Sequence, residues 1–255
     1  MLSKNQIKFV NSLQQKKFRK EHGLFIAEGM KIVPELLRSG LQVKQIYATA
    51  EFLRSATINE AIECIEVKAA ELERISALST PNEAIAVCEI PVYDLNPILL
   101  KDKLTLVLDD IKDPGNLGTI IRIADWFGIE NVICSKDTAD VFNPKVVQAT
   151  MGSIARIQVH YIDIADFIKE QAKELNLPVY GALLDGKNIY TEKLSPAGLI
   201  VIGNESRGIS DKIQVLITHR ISIPSFSHYK SGSGEAESLN AAIATSIICS
   251  EFRRR

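Results

Sequence analysis

Short strand-like runs recur along the chain, LTLVLDD at 104–110, NVIC at 131–134, RIQVHY at 156–161, PVYGALL at 178–184, GLIVIG at 198–203 and HRISIP at 219–224, and the first and fifth are apolar almost without a break. A strand that is apolar at nearly every position has to be covered on both faces. Runs of this kind alternating with helical patterns, here over 117–127, 143–150, 163–175 and about 238–252, confine the chain to an α/β fold on a parallel sheet. A smaller α/β unit precedes it. Its strands are expected at GLFIAEG (23–29), VKQIYAT (43–49), CIEV (64–67) and EAIAVCEI (83–90), with helices over 30–40, near Glu60 and over 69–77. Between the two, Pro91 and Pro97 interrupt any ladder or helix, so the expected division is 1–97 and 98–255.

An apolar fraction of 46% over 255 residues is enough to fill such cores, and it excludes a disordered or collagenous chain. There is no run of eighteen apolar residues and no secretory h-region at the start, which predicts a soluble, cytoplasmic protein that does not enter a membrane. Cys64, Cys88, Cys134 and Cys249 are far apart, and the four histidines make no ligand spacing with them, so neither a metal site nor a disulfide framework is expected.

Charge is distributed unevenly. The first twenty residues carry Lys4, Lys8, Lys16, Lys17, Arg19 and Lys20 without an acid, whereas the whole chain is formally −1. Ile7, Val10 and Leu13 share one helical face, so the arm reads either as an amphipathic helix with a solvated basic side or as a phosphate-contacting surface. Nothing in the arm decides between these. Arg253, Arg254 and Arg255 would add a second cationic patch.

Familiar nucleotide-binding signatures are absent. No G-x-G-x-x-G follows a strand, and GNESRGIS (203–210) lacks the Lys-Ser/Thr of a phosphate-binding loop. Three polar segments at strand ends stand out instead. In LDDIKDPGNLGTIIRIADWFG (108–128), Pro114 and Gly115 turn the chain and Asn116 occupies an expected N-cap, either as a cap alone or as a site group. On a wheel of about 100° per residue, Ile120, Ile123, Ala124 and Phe127 share the buried face while Gly118 and Arg122 lie opposite. Helical side chains lean toward the N-terminus, so Arg122 is expected to pass over Gly118 and form a pocket for a polar or anionic group. The second segment, GNESRG (203–208), follows a buried strand and offers Glu205 as a carboxylate able to hold an arginine. In the third, Ile223 and Pro224 close a strand, and Ser238, Leu239 and Asn240 open the last helix with Ser238 as an expected N-cap.

Taken together and in this order, NLGTIIR with Phe127 and Gly128, then GNESRG, then Ile223 and Pro224 with Ser238, Leu239 and Asn240, resemble the three motifs of the SpoU (TrmH-like) RNA ribose methyltransferases of the SPOUT superfamily. The front segment KKFRKEHGLFIAEGMKIVPELL resembles the ribosomal-protein-like substrate-binding domain that many members carry. The resemblance implies an α/β fold whose C-terminal segment forms a trefoil knot, S-adenosylmethionine as cofactor, a homodimer through the C-terminal domain, and 2'-O-methylation of a ribose in structured RNA, ribosomal more than transfer RNA. It implies cofactor contacts at Gly203, Ile223 and Leu239, and a catalytic set of Asn116, Arg122, Glu205, Ser238 and Asn240. Lys16, Lys17, Arg19 and Lys20 are the expected RNA contacts. A non-catalytic RNA-binding or ribosome-assembly protein and an RNA base methyltransferase are the alternatives. One departure from the family is the twelve-residue stretch SFSHYKSGSGEA (225–236), longer than the short glycine-containing loop expected, with His228, Tyr229 and Lys230 available to touch RNA or cover the cofactor.

Overall fold

The computed structural model of the chain describes residues 1–78, 80, 82–226 and 238–254. His228, Tyr229 and Lys230 lie outside the described residues, as does Arg255. By internal contacts the chain divides into two units, residues 1–92 with 140–156 and residues 93–139 with 157–255. The sequence division at residue 97 has no counterpart of the excursion over 140–156.

The first unit begins with α1 (Lys4–Ser12) and α2 (Lys16–His22), then β1 (Leu24–Glu28), α3 (Ile32–Leu37), β2 (Val43–Ala48), α4 (Ala50–Ser55), β3 (Glu63–Glu66), α5 (Ala69–Leu72) and β4 (Ala84–Glu89). Its sheet has the order β1-β4-β2-β3, with β4 antiparallel to both neighbours and β2 parallel to β3. A capping box starts α1: Ser3 Oγ accepts from Gln6 N at 3.2 Å, and Gln6 Oε1 accepts from Ser3 N at 2.9 Å. Val10 and Leu13, from the apolar stripe, are fully buried against Ile26, Tyr47, Ile85 and Val87.

The basic arm is two helices rather than one. The break falls at Leu13 and Gln14, whose carbonyls both accept from Arg19 Nη1, at 2.9 and 2.8 Å. The helix expected near Glu60 forms earlier, as α4, because the Thr49 hydroxyl accepts from Phe52 N and caps it there. Around Glu60 the chain turns instead, with Asn59 Oδ1 accepting from Ala61 N. Within the same unit, residues 140–156 place Phe142 against Phe25, with ring centroids 4.8 Å apart.

The second unit holds β5 (Leu104–Leu108), α6 (Pro114–Trp126) and β6 (Asn131–Cys134); α7 (Pro144–Thr150) then belongs to the excursion. It resumes with β7 (Gln158–Tyr161), α8 (Ile164–Phe167, opening into a wider π turn over Ile168–Ala172), β8 (Val179–Asn188), β9 (Gly198–Ile202), α9 (Asp211–Gln214), β10 (His219–Ser222) and α10 (Ala241–Arg253). The strand order is β10-β8-β9-β5-β6-β7 and every pairing is parallel. β5 and β9 are buried along their whole length, in register from Leu104 opposite Gly198 to Leu108 opposite Ile202.

Alternation along these strands divides the core. Val107, Ile133 and Val201 join Ile164, Phe167 and Ile213 from α8 and α9 on one face. Leu106, Leu108, Ile200 and Ile202 point the other way, to the side where α6 packs on β6 and α10 packs on α6. Both faces are covered, as fully apolar parallel strands require. Strand order reverses between β5 and β9, since β6 and β7 extend the sheet one way from β5 while β9 and β8 extend it the other. The crevice outside the carboxyl ends of strands at such a reversal is where open α/β sheets bind ligands.

Candidate active site

The loop leaving β5 reaches that crevice first. Asp110 takes a left-handed backbone (φ 64°), strained for a residue with a side chain. Asp113, not Asn116, is the N-cap of α6: its side chain accepts from Asn116 N at 2.7 Å, and Pro114 fills the first helical position. The sequence pattern places the helix start three residues late, although an Asp-Pro pair before an apolar stripe carries the cap signal itself. With the cap supplied by Asp113, the Asn116 side chain is released for other bonds.

Those bonds join all three strand-end segments. Asn116 Nδ2 donates to Glu205 Oε1 at 2.7 Å, and Asn116 Oδ1 accepts from Asn240 Nδ2 at 2.9 Å. The orientation of both amides is fixed from the ends of this chain of bonds. Asn240 Oδ1 is occupied as the N-cap of α10, accepting from Ala242 N and Ile243 N, so its nitrogen must face Asn116. At the other end a carboxylate can only accept, so Asn116 must present its nitrogen to Glu205. A hydrogen bond to a charged acceptor contributes about 1.5–3 kcal/mol.

The loop after β9 is held as a small closed turn. Asn204 N donates to Gly208 O at 3.0 Å and Gly208 N donates back to Asn204 O at 2.9 Å. Asn204 Oδ1 accepts from Ser206 N and Arg207 N, and Asn204 Nδ2 donates to Asp110 O at 2.8 Å, tying this turn to the first loop. Buried Asp109 adds a second tie by accepting from Ser210 N at 2.7 Å. At Gly203 a Cβ would stand 2.2 Å from the Gly208 carbonyl carbon, so no other residue fits this strand-to-turn junction. Asn204, Asp109 and Asp113 support the site loops although the motif reading does not single them out; Asp113 before Pro114 and Asn204, a turn-forming Asx residue inside GNESRG, carry local signals, and Asp109 carries none.

Several expectations need correction. Ser238 does not cap α10; Asn240 does, because its oxygen reaches two free N–H groups of the first turn. Gly118 is buried, with Leu117, Ile120, Ile121 and Ala124, whereas Arg122 is exposed, so the two do not share a solvent face. Arg122 has no hydrogen bond or ion pair among the described residues, and Glu205 is held by Asn116 rather than by an arginine. Gly203 and Ile223 leave the carboxyl ends of β9 and β10, on either side of β8, and half-exposed Leu239 adjoins Asn240. Arg19 is withdrawn from the RNA-contact set: it is 2% exposed and paired with Asp140 at 2.6 Å, while Lys16, Lys17 and Lys20 are exposed. The basic C-terminus is likewise engaged, with Arg253 donating to Phe127 O and Gly128 O at 2.8 and 3.0 Å and Arg254 paired with Glu251. Among the described residues there is no cluster of His, Cys, Asp and Glu able to hold a metal, and no helix long and apolar enough to cross a membrane.

Comparison with known proteins gives matches along both parts of the chain. Residues 103–250 match the SpoU rRNA Methylase family, and residues 4–86 match the MRM3-like substrate binding domain. The 23S rRNA (guanosine(2553)-2'-O)-methyltransferase RlmP of Bacillus subtilis is 30% identical over 253 residues, covering 98% of this chain and 97% of that protein. A TrmH-family structure from Porphyromonas gingivalis superposes with a TM-score of 0.89 at 40% identity, covering 100% of this chain and 99% of the other. An AdoMet-bound rRNA methyltransferase from Sinorhizobium meliloti superposes with a TM-score of 0.84 at 30% identity, covering 100% and 96%.

Proposed function

Since this chain belongs to the SpoU rRNA methylase family, we propose that its site transfers a methyl group from S-adenosylmethionine to a ribose 2'-oxygen of ribosomal RNA. The observation that carries this reading is the bonded chain Asn240–Asn116–Glu205, which brings the three motif loops together at the strand-order reversal. The residues present fit the cofactor. Gly203 packs its Cα against the Gly208 backbone and so keeps the turn compact at the crevice, and part-exposed Ile223 and exposed Leu239 add apolar surface beside it. S-adenosylmethionine, when bound, supplies a methyl group already activated by the sulfonium charge.

What remains for the protein is to position the ribose, exclude water and manage the proton of the 2'-hydroxyl. A guanidinium gives up its proton reluctantly, so Arg122 acts by steadying the oxygen as negative charge develops on it, and the hydroxyl proton leaves to solvent as the oxygen takes the methyl group from the sulfonium. Asn116, locked between Glu205 and Asn240, holds the nucleotide side of the crevice, while Ser238 and Asn240 flank the target hydroxyl. Lys16, Lys17 and Lys20 supply phosphate contacts on the substrate-binding unit.

Ribosomal RNA as substrate is supported by the match of residues 4–86 to a substrate-binding domain and by the named activity of the Bacillus relative. Homodimerisation is supported by large apolar side chains left exposed in the single chain, Leu239 and Ile243 at the start of α10 and Trp126 at the end of α6. A knotted path is supported by connectivity: β10 lies at the sheet edge beside β8, yet the next helix, α10, packs on α6. A cytoplasmic location follows from the proposed substrate.

The reading is tested by calorimetry with S-adenosylmethionine and by mapping alkali-resistant linkages in total RNA from cells with and without the gene. Binding of the cofactor together with one lost resistant linkage is expected. Single-turnover transfer should fall at least about 100-fold in Arg122→Ala, with Arg122→Lys still strongly impaired because the planar fork is lost. Wild-type transfer by Arg122→Ala would remove that residue from the mechanism.

A further inference from the structure

The turn between Asn204 and Gly208 contains a cation that the roles above do not use. Arg207 is exposed, and its side chain has no hydrogen bond or ion pair among the described residues. Its backbone is nonetheless fixed, since Arg207 N donates to Asn204 Oδ1 at 3.1 Å inside a turn closed by two main-chain bonds and anchored on Asp110. Glu205, two residues away, bonds Asn116 and has no cationic partner among the described residues. The site therefore meets its substrate with an uncompensated carboxylate at the point where a polyanion has to approach.

Building on the ribose-methylation reading, we propose that Arg207 clamps the RNA phosphodiester adjoining the methylated ribose. A guanidinium presents paired donors that match two phosphate oxygens, and a rigid turn spares most of the ordering cost of such a contact. Placed two residues from Glu205, the cation also offsets the repulsion between that carboxylate and the incoming phosphate. Arg207 thus contributes to substrate binding and register, while the chemical step rests on Arg122.

The test uses the full-length protein, S-adenosylmethionine labelled in the methyl group, and total RNA from a strain lacking the gene as methyl acceptor. In Arg207→Gln, KM for RNA should rise roughly 10-fold or more with kcat changed less than about 2-fold. The slope of log affinity against log salt should become shallower by about 0.7–0.9, the value for one lost phosphate contact. Arg207→Lys should recover the salt slope but only part of KM. Unchanged KM and slope in Arg207→Gln would overturn the proposal, as would a fall in kcat alone. Weakened cofactor binding by calorimetry would overturn it too, because the guanidinium would then serve the methionine carboxylate. Absence of methyl transfer by the wild-type protein to any RNA would instead refute the ribose-methylation reading itself.

Discussion

Asp140→Ala should be strongly destabilising although it lies outside the active site. Arg19 is 2% exposed and its partner Asp140 is 17% exposed, 2.6 Å apart, and two more bonds run from the same guanidinium to Leu13 O and Gln14 O. Removing one member of a buried pair leaves the other charge uncompensated, which costs about 3–5 kcal/mol. The two carbonyls still solvate part of the Arg19 charge, so the lower end, about 3 kcal/mol, is expected. That is a large fraction of the usual 5–15 kcal/mol of a folded protein. Tryptophan fluorescence is a poor probe, because the one tryptophan, Trp126, belongs to the other unit. Hydrogen exchange of the β4 amides (Ala84–Glu89) reports on the affected core and should accelerate about 100-fold or more at 25 °C. In a cycle with Arg19→Met the coupling should reach about 2 kcal/mol. A loss below about 1 kcal/mol, or a coupling near zero, would refute the view that this pair pins residues 140–156 to α1 and α2.

Gly203→Ala should abolish detectable S-adenosylmethionine binding in calorimetry while leaving β4 exchange unchanged, because the added methyl group meets the Gly208 backbone at 2.2 Å; wild-type affinity would show that the turn can shift. Burial raises the pKa of Glu28, against the lowering effect of its bonds from Ser76 Oγ and Ala77 N. The fold therefore holds that proton more tightly than the unfolded chain, and Glu28 makes stability fall as pH rises from the ordinary carboxyl value of 4.5 through the raised folded pKa. Glu28→Gln should flatten that decline in urea unfolding compared across weakly acidic pH, and an unaltered pH profile would assign the decline to other groups.

The parallel sheet is legible from sequence because strands such as LTLVL and GLIVI are apolar at nearly every position, a pattern only two-sided burial explains. Convergence of the site loops is legible because each polar segment directly follows such a strand or opens the last helix. The cap of α6 is readable locally, from Asp113 before Pro114. The burial of Gly118 and the partner of Glu205 instead depend on what packs nearby in space, and a helical wheel fixes only the relative angle of residues. Arg19 shows this most clearly. Its local sequence reads as one more cation in a basic arm, and the residue that draws it inside lies 121 positions away.

That long-range pairing has a consequence for modularity. Because residues 140–156, which lie between β6 and β7, complete the core of the front unit, the front unit is not a cassette that ends at a linker. A chimera that exchanged only the first ninety or so residues would inherit the donor's Phe25 and Arg19 opposite the recipient's Phe142 and Asp140. Recombination would succeed only where both segments travel together, which makes the inserted stretch a lock on how RNA-recognition and methyl-transfer halves can be shuffled among relatives.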